Sequence, residues 1–579
     1  MMTDRWLNYV LAVIVVIGLV AVARYERPRL AEERAEFLDQ EVAVGPDDAP
    51  PVEDRDPLEL REAPGNGDPV TAAEPDVEPL GAYGVSASHP LAVEVGMEVL
   101  SAGGNAVDAA IAVSYALSVV EPFGSGVGGG GAMLLQEPGE APLAYDYRET
   151  APLSGERPAN NIGVPGFAAG MEYIHGAHGS IALEDLIEPA ARYAEDGFEV
   201  DPYLHERARD AAFRMPIHLL PGLFPGGEVV QPGETLRQLD YAEVLRRIQT
   251  EGAEVVYGGE LGQRIADEVS GLDIEDLEAY EVAEVQPAVG SFAGYDVISG
   301  APPISGTALV QTLQIAEQRG IDDLDLDSAD GMHTMAQAYR LSQRDRRMNV
   351  GDPTIEDVPL EQIVDRQRTD ELAARIPPDG FVELPDEEEV RFTTETDTTH
   401  VVVVDEDGAM VSLTNTLSNF FGSGLSVSGI FLNDQLKNFS PDPESINAVA
   451  PGKRPRSFIT PTILAQDDYG VLGIGSAGGR RIPFVTAQVI ARWASNGQDI
   501  EAAVSNGRYH LEVRDLEVED SLPDGVEDEL ASRGYEITYT VPTTEYFGGM
   551  QALVVDRATG TVSGVADERR AGSWASSNS

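Results

Sequence analysis

Thr398, Thr399 and His400 stand between an acidic stretch, LPDEEEVRFTTETD, and four consecutive valines. A threonine hydroxyl is a weak nucleophile unless a base sits beside it, and the α-amine of a chain terminus is one such base. Cleavage of the Asp397–Thr398 bond would create that terminus. The same residues also suit the ordinary start of a half-buried strand, where threonine is common. Other chemistries fall away more readily. The chain has no cysteine, which excludes disulfides, thiolate metal sites and cysteine nucleophiles. Its eight histidines are scattered without an HExxH pattern, and His175 and His178, in the Gly-flanked IHGAHGS, read as a loop. GIGSAG, Gly473 to Gly478, fits the dinucleotide fingerprint, with Asp499 further on. GQDIEAAVSNGRYH then looks helical, so no parallel strand completes a βαβ unit and the cofactor reading is set aside. The glycines still permit close approach to an anion at a helix N-terminus. GSGVGGGGAMLL lacks a following Lys-Ser/Thr and is not a phosphate loop.

The elements that must position these residues change character along the chain. Residues 89–122 read as two helices, the first stopping at Gly103-Gly104 and the second capped by Asn105 and ending before Pro122. Helical patterns such as LIEPAARYAEDGF and YAEVLRRIQTEG continue to about residue 375. From Thr398, THVVVVDEDGAMVSL predicts a strand, an Asp-Gly turn and a second strand. GIFLN, SFITPTILAQ, GVLGIG, YEITYTV and MQALVVDRATGTVSGVAD supply further strands, and RIPFVTAQVIARWAS a helix. This order predicts an α+β layered fold.

Acidic residues outnumber basic ones 99 to 39, for a net charge of −60, and only Lys437 and Lys453 are lysines. Phosphate neutralisation needs clustered basic residues, so nucleic acid is excluded as a partner. We read the charge as a solvated surface suited to a salty medium. Residues 6–23 carry no charge over 18 positions, close to the length that spans a bilayer. They predict a single transmembrane anchor, with a signal peptide cleaved near Ala21-Val22-Ala23 as the alternative. Arg24, Arg27 and Arg29 favour a cytoplasmic bulk by the positive-inside rule, whereas the expected location of the catalytic part is extracellular. Residues 30–82 form an acidic, Pro-rich tether. The organisation is thus an anchor over 1–29, a linker over 30–82, and segments 83–397 and 398–579.

AGGNAVDAA, GVGGGGAMLL, YDYRETAP, GVPGFAAG, TTHVVVVDEDGAMVS, TLSNFFGSG, GIFLNDQ, PGKRPRS and GSAGGRRI follow one another over residues 83–573. In content and order they resemble the gamma-glutamyltransferase family of N-terminal-nucleophile hydrolases, in a haloarchaeal-type acidic form. The resemblance implies an αββα four-layer sandwich built from two self-cleaved segments that stay associated. It implies cleavage before Thr398, with Thr398 as nucleophile, Thr416 hydrogen-bonding it, and the N–H groups of Gly478 and Gly479 as the oxyanion hole. Arg148 and Ser457 would bind the α-carboxylate of a glutamyl group, and Gln435 would lie beside its α-amino group. No cofactor or metal is implied.

Three positions depart from the family pattern. Ser418 stands where Asn or Glu is usual, Phe458 replaces a second serine, and Asn438 replaces the Asp that pairs with the substrate ammonium. The segment from Ser440 to Ala450 is also shorter than the lid of many members. The expected activity is transfer or hydrolysis of a γ-glutamyl group from glutathione-like amides, with water or an amino acid as acceptor. A glutaryl-amide acylase, or an inactive tethered binding protein, is the alternative.

Overall fold

The computed structural model describes residues 79–384, 397–540 and 546–578. The predicted anchor and most of the tether, and the acidic stretch 385–396, lie outside the described residues. Among the described residues no helix is long and apolar enough to cross a membrane.

In chain order the elements that build the site are β1 (Gly84–Ala87), α1 (Pro90–Ser101), α2 (Ala106–Val120), β2 (Gly130–Gln136), β3 (Leu143–Asp146), α3 (Phe167–His178), β4 (Ala283–Val285), β5 (Ala288–Phe292) and β6 (Tyr295–Ser299). Then follow α4 (Gly306–Gln318), α5 (Ala329–Asn349), β7 (Asp397–Val404), β8 (Met410–Ser418), β9 (Thr462–Gln466), β10 (Tyr469–Ser476), α6 (Ile482–Ala494), β11 (Met550–Asp556), β12 (Thr561–Ala566) and β13 (Ser573–Ser576). Two antiparallel sheets result, ordered β13-β1-β7-β8-β2-β3-β4 and β12-β11-β10-β9-β6-β5.

The valine run explains how the layers stack. Side chains alternate across a strand, so Val401 and Val403 pack with α1, α2 and α3 in one core, joined by Val411 and Leu413 of β8. Val402 and Val404 face the other way, against Ile463 of β9 and Leu553 and Val555 of β11. All four are fully buried, each contributing roughly 1.5–3 kcal/mol by leaving water. On the far side of the second sheet, Leu472 and Ile474 of β10 pack under α4, α5 and α6. Helices therefore cover both outer faces of the sheet pair, and a strand covered on both sides reads as an unbroken apolar run. Segments 83–397 and 398–579 each supply strands to both sheets, with β7 lodged between β1 and β8. A break between Asp397 and Thr398 thus leaves two fragments that cannot part without dismantling both sheets.

Local expectations hold at several places. Asn105 caps α2 in a reciprocal capping box with Asp108. The Asp-Gly turn joining β7 to β8 is closed by the Asp405 carboxylate, which accepts from the N–H groups of Asp407 and Ala409. Others need correction. The stretch read as helical to about residue 375 contains the β5–β6 hairpin. GIFLN yields only the two-residue strand Ile430–Phe431. His175 and His178 lie in the last turn of α3, not in a loop, bound to the Ile181 carbonyl and the Tyr145 hydroxyl. The strand inside GIGSAG pairs antiparallel on both sides, which is no dinucleotide fold. Its glycines serve sheet packing instead. A Cβ on Gly473 would lie 2.5 Å from Val402, and one on Gly475 2.3 Å from the His400 ring.

Candidate active site

Those two approaches also fix the register between the sheets. Gly473 meets Val402 and Gly475 meets His400, so β10 runs against β7 and its end comes level with Thr398. There Gly478 and Gly479 adopt φ of +126° and +62°, conformations that side chains disfavour. They lead into α6 through a short 3-10 turn, an arrangement that leaves backbone N–H groups to face an anion. Opposite β7, the pairing with β8 slips between Asn415 and Ser418, and the bulge holds Thr416 and Leu417. The Thr416 hydroxyl accepts from the Ser418 N–H at 2.8 Å. Ser418 has a φ of +79°. The glycine-rich loop closes the other side of β8, since a Cβ on Gly129 would lie 2.2 Å from the Thr416 carbonyl oxygen.

Three of the nominated side chains end in buried polar atoms with no hydrogen-bond partner among the described residues: Thr398 Oγ1, Ser418 Oγ and Gln435 Nε2. They are neighbours by connectivity. Asp397 pairs with Ser418, and Asp434 donates its N–H to the Leu417 carbonyl at 3.2 Å. Other buried polar atoms in the core also lack partners, such as those of Thr307 and Thr486, but these three adjoin at the ends of β7 and β8, where a ligand could engage them. His400, by contrast, is a core residue. Its Nδ1 is hydrogen-bonded to Thr414 at 2.9 Å, and burial holds its pKa down to about 3, so it stays neutral. Thr399 is similarly occupied, donating to Glu121 at 3.0 Å.

The other nominated residues are placed differently from one another. Arg148 is entirely buried. Its Nε and Nη2 donate to Asp146 at 3.1 and 2.6 Å, and Nη1 donates to the Pro455 carbonyl at 2.7 Å. Those three bonds use one hydrogen on each of its nitrogens. The Ser457 carbonyl accepts from Arg346 at 2.6 Å and from Ser305 at 2.8 Å. Asn438 lines a cavity with Phe458, Arg346 and Arg456. Among the described residues, no group of His, Asp or Glu side chains could hold a metal ion.

The sequence profile of gamma-glutamyltranspeptidases matches residues 92–577. The chain belongs to the gamma-glutamyltranspeptidase family. The capsule biosynthesis protein CapD proenzyme of Bacillus anthracis is 40% identical over 497 residues, spanning 86% of this chain and 91% of that protein. The glutathione hydrolase proenzyme of Bacillus subtilis is 32% identical over 532 residues, spanning 84% and 90%. The crystal structure of cephalosporin acylase from Bacillus halodurans superposes with a TM-score of 0.76 at 27% identity, covering 88% of this chain and 98% of that one.

Within this gamma-glutamyltranspeptidase-family enzyme, three carboxyl groups near the site escaped sequence reasoning. Asp146 is the partner of Arg148, two residues before it in YDYR. Asp434 receives the Asn419 side-chain amide at 2.5 Å and the Lys437 ammonium at 3.0 Å, so its charge is already matched. Glu149 is fully buried with neither oxygen hydrogen-bonded, and burial raises its pKa from 4.5 to about 8. A carboxyl whose pKa is raised on folding stabilises the native state fully below its unfolded value, and loses that contribution as pH climbs through the folded value. Glu149→Gln is therefore expected to leave the melting temperature unchanged at pH 5 and to raise it above wild type at pH 9. A melting difference that stays constant from pH 5 to 9 would contradict this.

Proposed function

We propose that the protein is a self-processing threonine amidase that transfers or hydrolyses an acid-ended acyl group, γ-glutamyl or glutaryl, from an amide. The observation that carries this reading is the cluster of orphaned buried atoms, Thr398 Oγ1 foremost, beside the Gly478-Gly479 turn. In the first step Thr398 Oγ adds to the Asp397 carbonyl, and the peptide nitrogen leaves as the new α-amine. Water then hydrolyses the Asp397 ester, freeing the hydroxyl beside its own base. In turnover the hydroxyl attacks the substrate carbonyl while the amine takes its proton, and that proton passes to the departing amine. Gly478 and Gly479 hold the oxyanion, a contribution of about 2.7–4 kcal/mol per donor in comparable hydrolases. Water or an amino acid then takes the acyl group from Thr398. The names of the relatives, a glutathione hydrolase and a cephalosporin acylase among them, agree with such amide chemistry.

The pocket chemistry favours an acyl chain without a free ammonium. Arg148, with Ser457, is set to hold a carboxylate. Ser418, Gln435 and Asn438 offer only neutral partners, and Asp434 is matched by Lys437. An ammonium entering this site gives up hydration and recovers little. A glutaryl anilide should therefore compete well with a γ-glutamyl anilide. Asn438→Asp should swing kcat/KM toward γ-glutamyl by about tenfold to a hundredfold, the worth of one charge-assisted hydrogen bond. A wild type that already favours γ-glutamyl by orders of magnitude, with no response to Asn438→Asp, would contradict the pocket assignment.

A further inference from the structure

Packing alone would make the helix-covered face of β7 apolar throughout. Side chains alternate across a strand, so Thr399 shares a face with Val401 and Val403, which pack against α1 and α2. Thr399 is as fully buried as they are, yet it sits in a polar layer. Its hydroxyl donates to Glu121 Oε2 at 3.0 Å. The Ser88 hydroxyl, from the turn between β1 and α1, reaches the same oxygen and lies 2.5 Å from Thr399 Oγ1. Asn415, paired with Thr399 across the ladder, donates to Ser114 of α2 at 3.1 Å and accepts from Tyr147 at 2.8 Å. All of these side chains are buried. Paired polar groups in a core gain little over apolar groups of the same shape, so stability alone does not call for the layer.

The layer lies where the strand has its weakest hold. β1 pairs with β7 as far as Val401. On the other side the ladder with β8 is regular as far as Thr399, and Thr398 then faces the bulge of Thr416 and Leu417, where pairing is locally disrupted. The ladder resumes at Asp397, which belongs to the other fragment after cleavage. In the uncut chain Thr398 is held by peptide bonds on both sides. Once the Asp397–Thr398 bond is cut it becomes a chain terminus, and termini fray unless something ties them down. Thr398 Oγ1 has no hydrogen-bond partner among the described residues. The nearest fixed point is Thr399, about 3.8 Å away along the backbone, and its side chain is held by Glu121 and Ser88.

We propose that Glu121, with Ser88, is a positioning residue for the nucleophile. Through Thr399 it clamps the start of β7, so that the freed amine and hydroxyl of Thr398 stay aligned with each other and with the Gly478-Gly479 turn. It acts once the chain is cut, because only then does the strand end at Thr398. The inference rests on the self-cleavage reading above and adds a requirement that reading does not contain.

The test compares full-length wild type, Thr399→Val, Thr399→Ser and Glu121→Ala, each allowed to cut itself, on whichever of glutaryl and γ-glutamyl anilide the wild type turns over faster. Valine keeps the β-branched shape and removes the donor. Thr399→Val should still cut itself, and its kcat should fall by about tenfold to a hundredfold, the scale on which a misplaced reacting group costs rate, while KM stays unchanged. Thr399→Ser restores the donor and should restore kcat. Glu121→Ala should resemble Thr399→Val, and the double variant should be no slower than either alone, because the two side chains act as one unit. Hydrogen exchange over residues 398–404 should speed up in the cut Thr399→Val protein but not in the uncut Thr398→Ala/Thr399→Val chain. A cut Thr399→Val protein with wild-type kcat would overturn the inference, and so would a Thr399→Ser protein as slow as Thr399→Val. A Thr399→Val chain that does not fold, or whose exchange rises equally before and after cleavage, would make the layer structural and overturn it too. Those outcomes leave the self-cleavage reading standing. A wild type that is active but uncut would remove both.

Discussion

Thr398→Ala is expected to yield a single uncut chain whose kcat/KM is lower than wild type by roughly 10⁴-fold or more. The same substitution should hardly alter the melting temperature of the uncut form. Thr398 Oγ1 has no hydrogen-bond partner among the described residues, so its removal breaks no hydrogen bond seen there and leaves no orphan behind. This pairing of outcomes separates a nucleophile from a structural threonine at a strand start. A structural residue would lose stability and keep turnover. Thr398→Ser keeps a hydroxyl at the same atom and should restore both cleavage and activity, more slowly. Full activity in an uncut Thr398→Ala protein would end the mechanism.

Dilution from about 3 M to about 0.1 M salt should unfold the folded part or lower its melting temperature by many degrees. With a net charge of −60, exposed carboxylates repel one another. The screening length is about 3 Å at 1 M but about 10 Å at 0.1 M, so low salt lets that repulsion act across the surface. The scarcity of basic residues leaves few local partners to offset it. Sucrose at equal molality, which strengthens burial without screening charge, should restore little stability. A melting temperature that is flat from low to molar salt would show that the surface charge is not an adaptation to a salty medium.

Much of the fold was legible because the signals were local and redundant. The Asn105 cap, the Asp-Gly turn after the valines and the helix over RIPFVTAQVIARWAS each carry their own residue chemistry. The β5–β6 hairpin was not legible: it turns through Ala293 and Gly294 at φ of +51° and +86°, and alanine is no advertisement for that conformation. The strand GVSA of β1 is too short and too small-sided to register. GIGSAG misled in the opposite direction, because glycines needed where two sheets meet copy the spacing of a nucleotide loop. At the site, Thr398, Thr416, Ser418, Gln435 and the Gly478-Gly479 pair lie on elements that β7, β8 and β10 bring together. The Arg148–Asp146 pair could not be read in advance. Whether a guanidinium finds a carboxylate is decided by tertiary packing and not by spacing along the chain.

The most direct measurement is intact-mass spectrometry of the purified wild-type protein, before and after brief exposure to glutaryl or γ-glutamyl anilide. The account predicts two fragments, the smaller comprising residues 398–579 with Thr398 at its N-terminus. After exposure that fragment should gain the mass of one acyl group on Thr398. A fully active intact chain, or an acyl group carried on any residue but Thr398, would contradict it.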